Sequence, residues 1–170
     1  MEGEAKMLRA HFYFDLVKHF KNIPVFDETV SAADVSTTKN TSDAAAWTLI
    51  ESDLNFAYSN LPETQSQLGR VNKWAAASLL AKAYLYQKKY SEANTLFDAI
   101  IANGKTPAGA KYALLDNFAG IFNAENDNHA EAVFDVESAM NTGSTQNANY
   151  FDDLNYPYNT GQDGPGNCCG

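Results

Sequence analysis

The chain has 170 residues, 45% of them hydrophobic, and a formal net charge of -9. That size suits one ordinary domain with a packed core, or a large piece of a longer protein. The charge is unevenly placed: residues 1–111 hold all 12 Lys and Arg against 12 Asp and Glu, whereas residues 112–170 hold nine carboxylates and no Lys or Arg. An acidic surface repels phosphate backbones, which argues against nucleic acid as a partner. No apolar run approaches the roughly 18 residues that would mark a membrane-spanning helix. The two cysteines, Cys168 and Cys169, are neighbours that cannot staple a fold, and no His or Cys lies at zinc-binding distance in sequence from them. The polar start, Met1 to Lys6, is no signal peptide, so the chain is either cytosolic or exported by a segment outside this sequence.

In chain order, a helix is predicted over residues 4–21. Leu8, Phe12, Leu16 and Phe20 recur every four positions as its core stripe, widened by Met7, Phe14 and Val17. So much apolar circumference predicts burial between neighbours. Asn22 and Pro24 end it, and residues 25–41 form a polar loop. Thr41 or Ser42 is positioned to cap a second helix over 45–61, with a stripe of Trp47, Ile50, Leu54, Ala57 and Leu61. Asn72 caps a third helix reaching about Lys88, and Ser91 a fourth reaching about Ala102, with Asn103-Gly104 as its left-handed stop. After Gly104 regular signal fades. Tyr112 to Leu115 is a short apolar patch, Phe118 to Phe122 allows a helical turn, and Ala132 to Ser138 reads as a strand.

Within the second pair of helices, Ala81 and Tyr84 lie three apart, Ala93 follows nine later and Phe97 four after that. Small residues and aromatics at this spacing let antiparallel helices pack closely, which is the tetratricopeptide pattern. Trp47, Trp74, Tyr84 and Tyr86 fall at repeat-packing positions and are expected in the core. The predicted fold is therefore mainly α: a tetratricopeptide-like array of helical hairpins over 1–104, then irregular loops and short strands over 105–170 that do not form an independent domain. A scaffold of this kind performs no chemistry by itself, so binding is expected before catalysis.

Five segments in order extend this reading: Leu8 to Val17 leading to Phe20 and Pro24; the helix end from Asp53-Leu54 to Leu61-Pro62; Gly69-Arg70 through Tyr86; Phe122 to Asn126 leading into Val133-Phe134; and Gly164 to Gly170. Together they resemble the SusD/RagB family of glycan-binding outer-membrane lipoproteins. The family usually has glycine after the phenylalanine at position 20, and Lys21 departs from it. The resemblance implies that this chain is an internal fragment of a longer, surface-facing lipoprotein. It implies capture of oligosaccharides or polysaccharides and their transfer to a TonB-dependent, SusC-like transporter.

Sugars offer apolar C–H faces for aromatic stacking and hydroxyls for Asn, Asp and Gln. The segment 149–159 carries that mixture, so Tyr150, Asp152, Asp153, Asn155, Tyr156 and Tyr158 are the candidate ligand-binding residues. The same aromatics would equally clamp a long loop onto the helices. No enzyme is expected. Asp152 and Asp153 are sequence neighbours rather than a pair across a cleft, and His11, His19 and His129 have no nucleophile or metal-ligand partner at a telling spacing. No cofactor motif is present. The oxygen-rich run Asn123 to Asn128 lacks the alternating acids and glycine of a calcium loop. The other reading is a tetratricopeptide-like adaptor that binds a protein or peptide in the helical groove of residues 40–103.

Overall fold

The computed structural model describes residues 1–122 and 126–135. Among them are four α-helices, α1 (Glu2–Phe20), α2 (Asp43–Asn60), α3 (Lys73–Tyr86) and α4 (Tyr90–Asn103), and a short 3-10 helix at Phe118–Phe122. The chain is mainly α, as its periodicity predicts. Consecutive helices pack on one another, α1 on α2, α2 on α3 and α3 on α4. One ring contact ties α1 to α3, with Phe14 and Tyr86 edge-on at 5.0 Å. Residues 1–135 form one compact unit.

The core lies between α1, α2 and α3. It contains Met7, Ala10, Phe14 and Val17 from α1, Ala46, Ile50, Leu54 and Ala57 from α2, and Ala75, Ala76, Leu80 and Ala83 from α3. The alanines of α3 explain its place in the middle: small side chains let it approach α2 and α4 at once. At the far end of the array α4 buries only Ala93 among its 14 residues.

The stripe predicted for α1 is a correction. Leu8, Phe12, Leu16 and Phe20 are 38 to 68% exposed, and the buried face is Gly3, Met7, Ala10, Tyr13, Phe14 and Val17. The reason is geometric. At 3.6 residues per turn, a step of four overshoots by about 40°, so three such steps rotate about 120° off any one face. Alternating steps of four and three, from Gly3 through Met7, Ala10, Phe14 and Val17, stay aligned. Enclosure of α1 on all sides is not seen among the described residues. Tyr86 is likewise 55% exposed despite its contact with Phe14.

The α2 stripe holds for Ile50, Leu54, Ala57 and Leu61, with Trp47 half-buried against Phe14 at 5.8 Å. Thr41 does not cap α2. Its backbone N–H and its hydroxyl both donate to the Ile23 carbonyl at 3.0 Å, closing the 22–41 loop on itself. Ser42 holds the N-cap position without a side-chain bond. Asn72 caps α3 as predicted, its Oδ1 accepting from Ala75 N–H at 2.9 Å.

The α3–α4 turn is a Schellman closure. Lys89 N–H donates to the Tyr84 carbonyl at 2.9 Å and Lys88 N–H to that of Leu85 at 3.0 Å, with Lys88 at φ 62°. This lets α4 begin at Tyr90, so Ser91 sits inside the helix rather than capping it. Gly104 is not a left-handed stop, since its φ is -59°. It is small because a Cβ there would collide with the Ile100 carbonyl oxygen and come within 2.5 Å of Tyr112 Cδ2.

Past α4, residues 104–112 form a small hairpin with one antiparallel bridge, Lys105 to Lys111. Residues 132–135 are bend and irregular backbone rather than the predicted strand, and 136–138 lie outside the described residues. Val133 and Phe134 satisfy their apolar character by packing on the helical core.

Candidate functional site

The predicted ligand residues Tyr150, Asp152, Asp153, Asn155, Tyr156 and Tyr158 lie outside the described residues. Within the described residues, the surface carries cavities of different chemistry set against a frame of helices and loops.

The frame is polar as well as apolar. Asp53 in α2 is buried and accepts two bonds from Arg9 of α1, at 2.6 Å from Nε and 2.7 Å from Nη2. Arg9 also reaches Glu28 in the long loop at 3.2 Å, and Lys6 pairs with Glu28 and approaches Asp53 at 3.5 Å. Bonding to Lys6 first, and then to its own backbone and Arg9, pulls the Glu28 carboxyl down to about 2. Bonding to Asp53 raises the Arg9 guanidinium further above its ordinary value. Two carboxylates and two cations thus fasten the loop to the first hairpin. Arg70 fastens the next connection to the start of α1 through two bonds to Glu4, at 2.6 and 2.7 Å.

Asn72 is the second hub. Besides capping α3, its amide donates to the Glu63 and Lys105 carbonyls, each at 2.8 Å. One buried side chain therefore joins the α2–α3 connection, the start of α3 and the exit of α4. Thr106, also buried, closes the 104–112 hairpin with Thr106 N–H donating to Ala110 O at 2.8 Å and its Oγ1 accepting from Ala110 N–H at 3.2 Å.

A cavity of about 390 Å³ opens beside the 127–135 turn. Asp127, Asn128, His129, Glu131 and Asp135 supply polar groups, and Ile121 and Phe134 apolar surface. Asn128 sits at φ 59°, which its short amide tolerates. His129 Nδ1 accepts from Glu131 N–H at 3.1 Å, so in the neutral ring the proton is on Nε2. The turn is anchored to the frame by Phe134, edge-on to His11 at 6.2 Å, and by Glu131 Oε1, which accepts from Leu115 N–H at 2.6 Å. Carboxylates and an amide beside an aromatic ring form a set that binds neutral hydroxylated ligands. By sequence Asn123 to Asn128 is weighed only as a calcium loop, because an acidic turn carries no periodicity that would bring these groups together.

A second cavity, about 330 Å³, is mainly aliphatic and is walled by Ile100, Ile101, Leu114 and Val133. Tyr112 borders it with a hydroxyl that has no partner among the described residues, and burial pushes that phenol up to about 12. A third cavity, about 350 Å³, lies between the α3 start and the 104–112 hairpin. No cluster of three metal-ligating side chains occurs among the described residues.

Residues 1–85 match the family described as starch-binding and associating with the outer membrane. The chain belongs to the SusD-like family. A SusD-like protein of Formosa agariphila is 25% identical over 139 residues, covering 81% of this chain and 25% of that protein. A SusD-like protein of Bacteroides ovatus is 25% identical over 140 residues, 79% of this chain and 26% of its own length. Among solved structures, a laminarin-binding SusD-like protein superposes with a TM-score of 0.68 at 34% identity, over 78% of this chain and 29% of that one. A SusD superfamily protein from Bacteroides vulgatus gives 0.70 at 29% identity, over 80% and 28%. The chain thus spans about a quarter of the curated relatives it matches. The SusD-like family is associated with the outer membrane, and no described helix is long and apolar enough to cross one.

Proposed function

We propose that this SusD-like chain takes part in capturing oligosaccharides at the cell surface, within a lipoprotein that hands them to a TonB-dependent, SusC-like transporter. The observation that carries the reading is the match of residues 1–85 to a starch-binding, outer-membrane-associated family. The 34% identity with a laminarin-binding protein supports a glycan as ligand. In this reading the helices of residues 1–104 are the platform, and residues 105–170 carry recognition without folding as a domain of their own. Tyr150, Tyr156 and Tyr158 would stack on sugar faces, and Asp152, Asp153 and Asn155 would bond hydroxyls. The cavity at 127–135 adds polar groups of the same kind. The chain binds its ligand and does not cleave it.

Calorimetric titration with laminarin and starch oligosaccharides tests this, with deletion of 141–170 as the control. Binding that the deletion abolishes is the expected result. Oligosaccharide binding that survives the deletion unchanged would overturn the assignment to those six residues. A chain that ignores glycans but holds a peptide in the helical groove of 40–103 would instead be an adaptor. Reducing ends released from polysaccharide would overturn the non-enzymatic reading.

A further inference from the structure

Helical arrays stop where the last helix turns a polar face outward, because an apolar outer face stays open to the next helix. The two ends of this array differ in that respect.

α4 ends it as a cap. The side of α4 opposite the buried Ala93 carries Ser91, Asn94, Thr95 and Asp98, all exposed. They satisfy one another within the helix: Asn94 Nδ2 donates to Asp98 at 3.3 Å, and the Thr95 hydroxyl to the Ser91 carbonyl at 3.0 Å. Tyr90 and Ile101, its large exposed apolar residues, lie toward its two ends.

α1 carries no such cap. Leu8, Phe12, Leu16 and Phe20 lie away from its buried face and are 38 to 68% exposed. At roughly 200 Å² for each large side chain, they leave on the order of 400 Å² of apolar surface open, a patch of interaction-site size. The charges between them are answered elsewhere, Arg9 by Asp53 and Asp15 by Lys18 at 2.6 Å.

The spacing of this row names its occupant. Side chains at every fourth position form one of the natural ridges of a helix surface, and such a ridge seats in the groove of a second helix. From Leu8 to Phe20 the row is about 18 Å long, so a helix of about 12 residues covers it. The facing side of that helix must be uncharged, since a charge pressed against the row would lose its water and find no partner. The SusD-like relatives extend well beyond the quarter that this chain spans, so a longer protein on the same plan has sequence to supply it.

We propose that the helical array ends at α4 and continues beyond α1: one further helix, from the part of a longer protein outside these 170 residues, lies along Leu8, Phe12, Leu16 and Phe20. The inference concerns assembly and stands whether or not the protein holds a glycan.

Cysteine labelling tests it, on the product of the gene that encodes this segment and on the 170-residue chain alone. Phe12→Cys reports the α1 row and Asn94→Cys the polar side of α4. Maleimide uptake is read peptide by peptide by mass spectrometry, which keeps Cys168 and Cys169 apart from the reporters. In the short chain both reporters are expected to label at similar rates. In the gene product, position 12 is expected to label at least about tenfold more slowly, as a site that reacts only when its packing opens, with position 94 unchanged. Leu8→Cys, a smaller change in the same row, repeats the measurement if Phe12→Cys does not fold.

Equal rates at position 12 in the two proteins would overturn the proposal, and so would a gene product no longer than this chain. Slow labelling of position 12 already in the 170-residue chain would mean that a second copy or the chain itself covers the row, and would overturn it too. Protection of position 94 as strong as that of position 12 would show that the array runs on past α4 and defeat the asymmetry.

Discussion

Asp53 shows how one buried charge can organise two elements. It is 1% exposed and receives both nitrogens of an Arg9 fork. Removing one partner of a buried pair leaves the other desolvated and unanswered. Asp53→Ala is therefore expected to cost about 3 kcal/mol, the low end of the usual range because Arg9 keeps some contact with water. Asp53→Asn should recover part of that loss by keeping an acceptor. Urea unfolding of the three chains measures both. Asn72 is the neutral counterpart. Asn72→Ala removes a helix cap and two bonds to backbone carbonyls, an expected loss of roughly 2–4 kcal/mol. Equal midpoints for the wild type and either alanine variant would refute the hub roles.

At the scale of the element, α1 is the informative case because its two faces look alike in sequence. Phe14 is 2% exposed among Trp47 and Tyr86, and Phe12 is 63% exposed two positions away. Phe14→Ala should destabilise by about 3–5 kcal/mol, while Phe12→Ser should stay within about 0.5 kcal/mol of wild type. Comparable losses would mean the helix is rotated from the face described. The end of α1 holds a second test. Lys21 sits at φ 57°, ψ -80°, a conformation that strains any residue with a Cβ. Lys21→Gly is expected to raise the melting temperature by a few degrees, as relief of about 1 kcal/mol does in a domain this size.

For the whole molecule, acid should loosen the long loop before it melts the helices. Glu28 is depressed from 4.5 to about 2 by Lys6, its own backbone and Arg9, and Glu4 is lowered by Arg70. A carboxyl depressed by folding contributes stability that is full above its unfolded value. That contribution is lost as pH falls from about 4.5 toward 2. Amide exchange should therefore show the 22–41 loop opening over that window, with the α2 and α3 cores still protected. Protection of the loop that is unchanged down to pH 2 would show that the Glu28 contacts do not hold it.

Local periodicity, proline breaks and the Asn72 cap determined the order and type of all four helices, because those signals act within one or two turns. The 3.5-residue rhythm of α2 also named its inner face. Only the tertiary structure decided which side of α1 is buried. A helix apolar nearly all round presents several possible faces, and the choice depends on where α2 and α3 stand. The ion cluster at Asp53 and the steric need for Gly104 were decided there too. Their partners lie up to 47 residues apart, a separation across which no spacing rule acts until the chain has closed on itself.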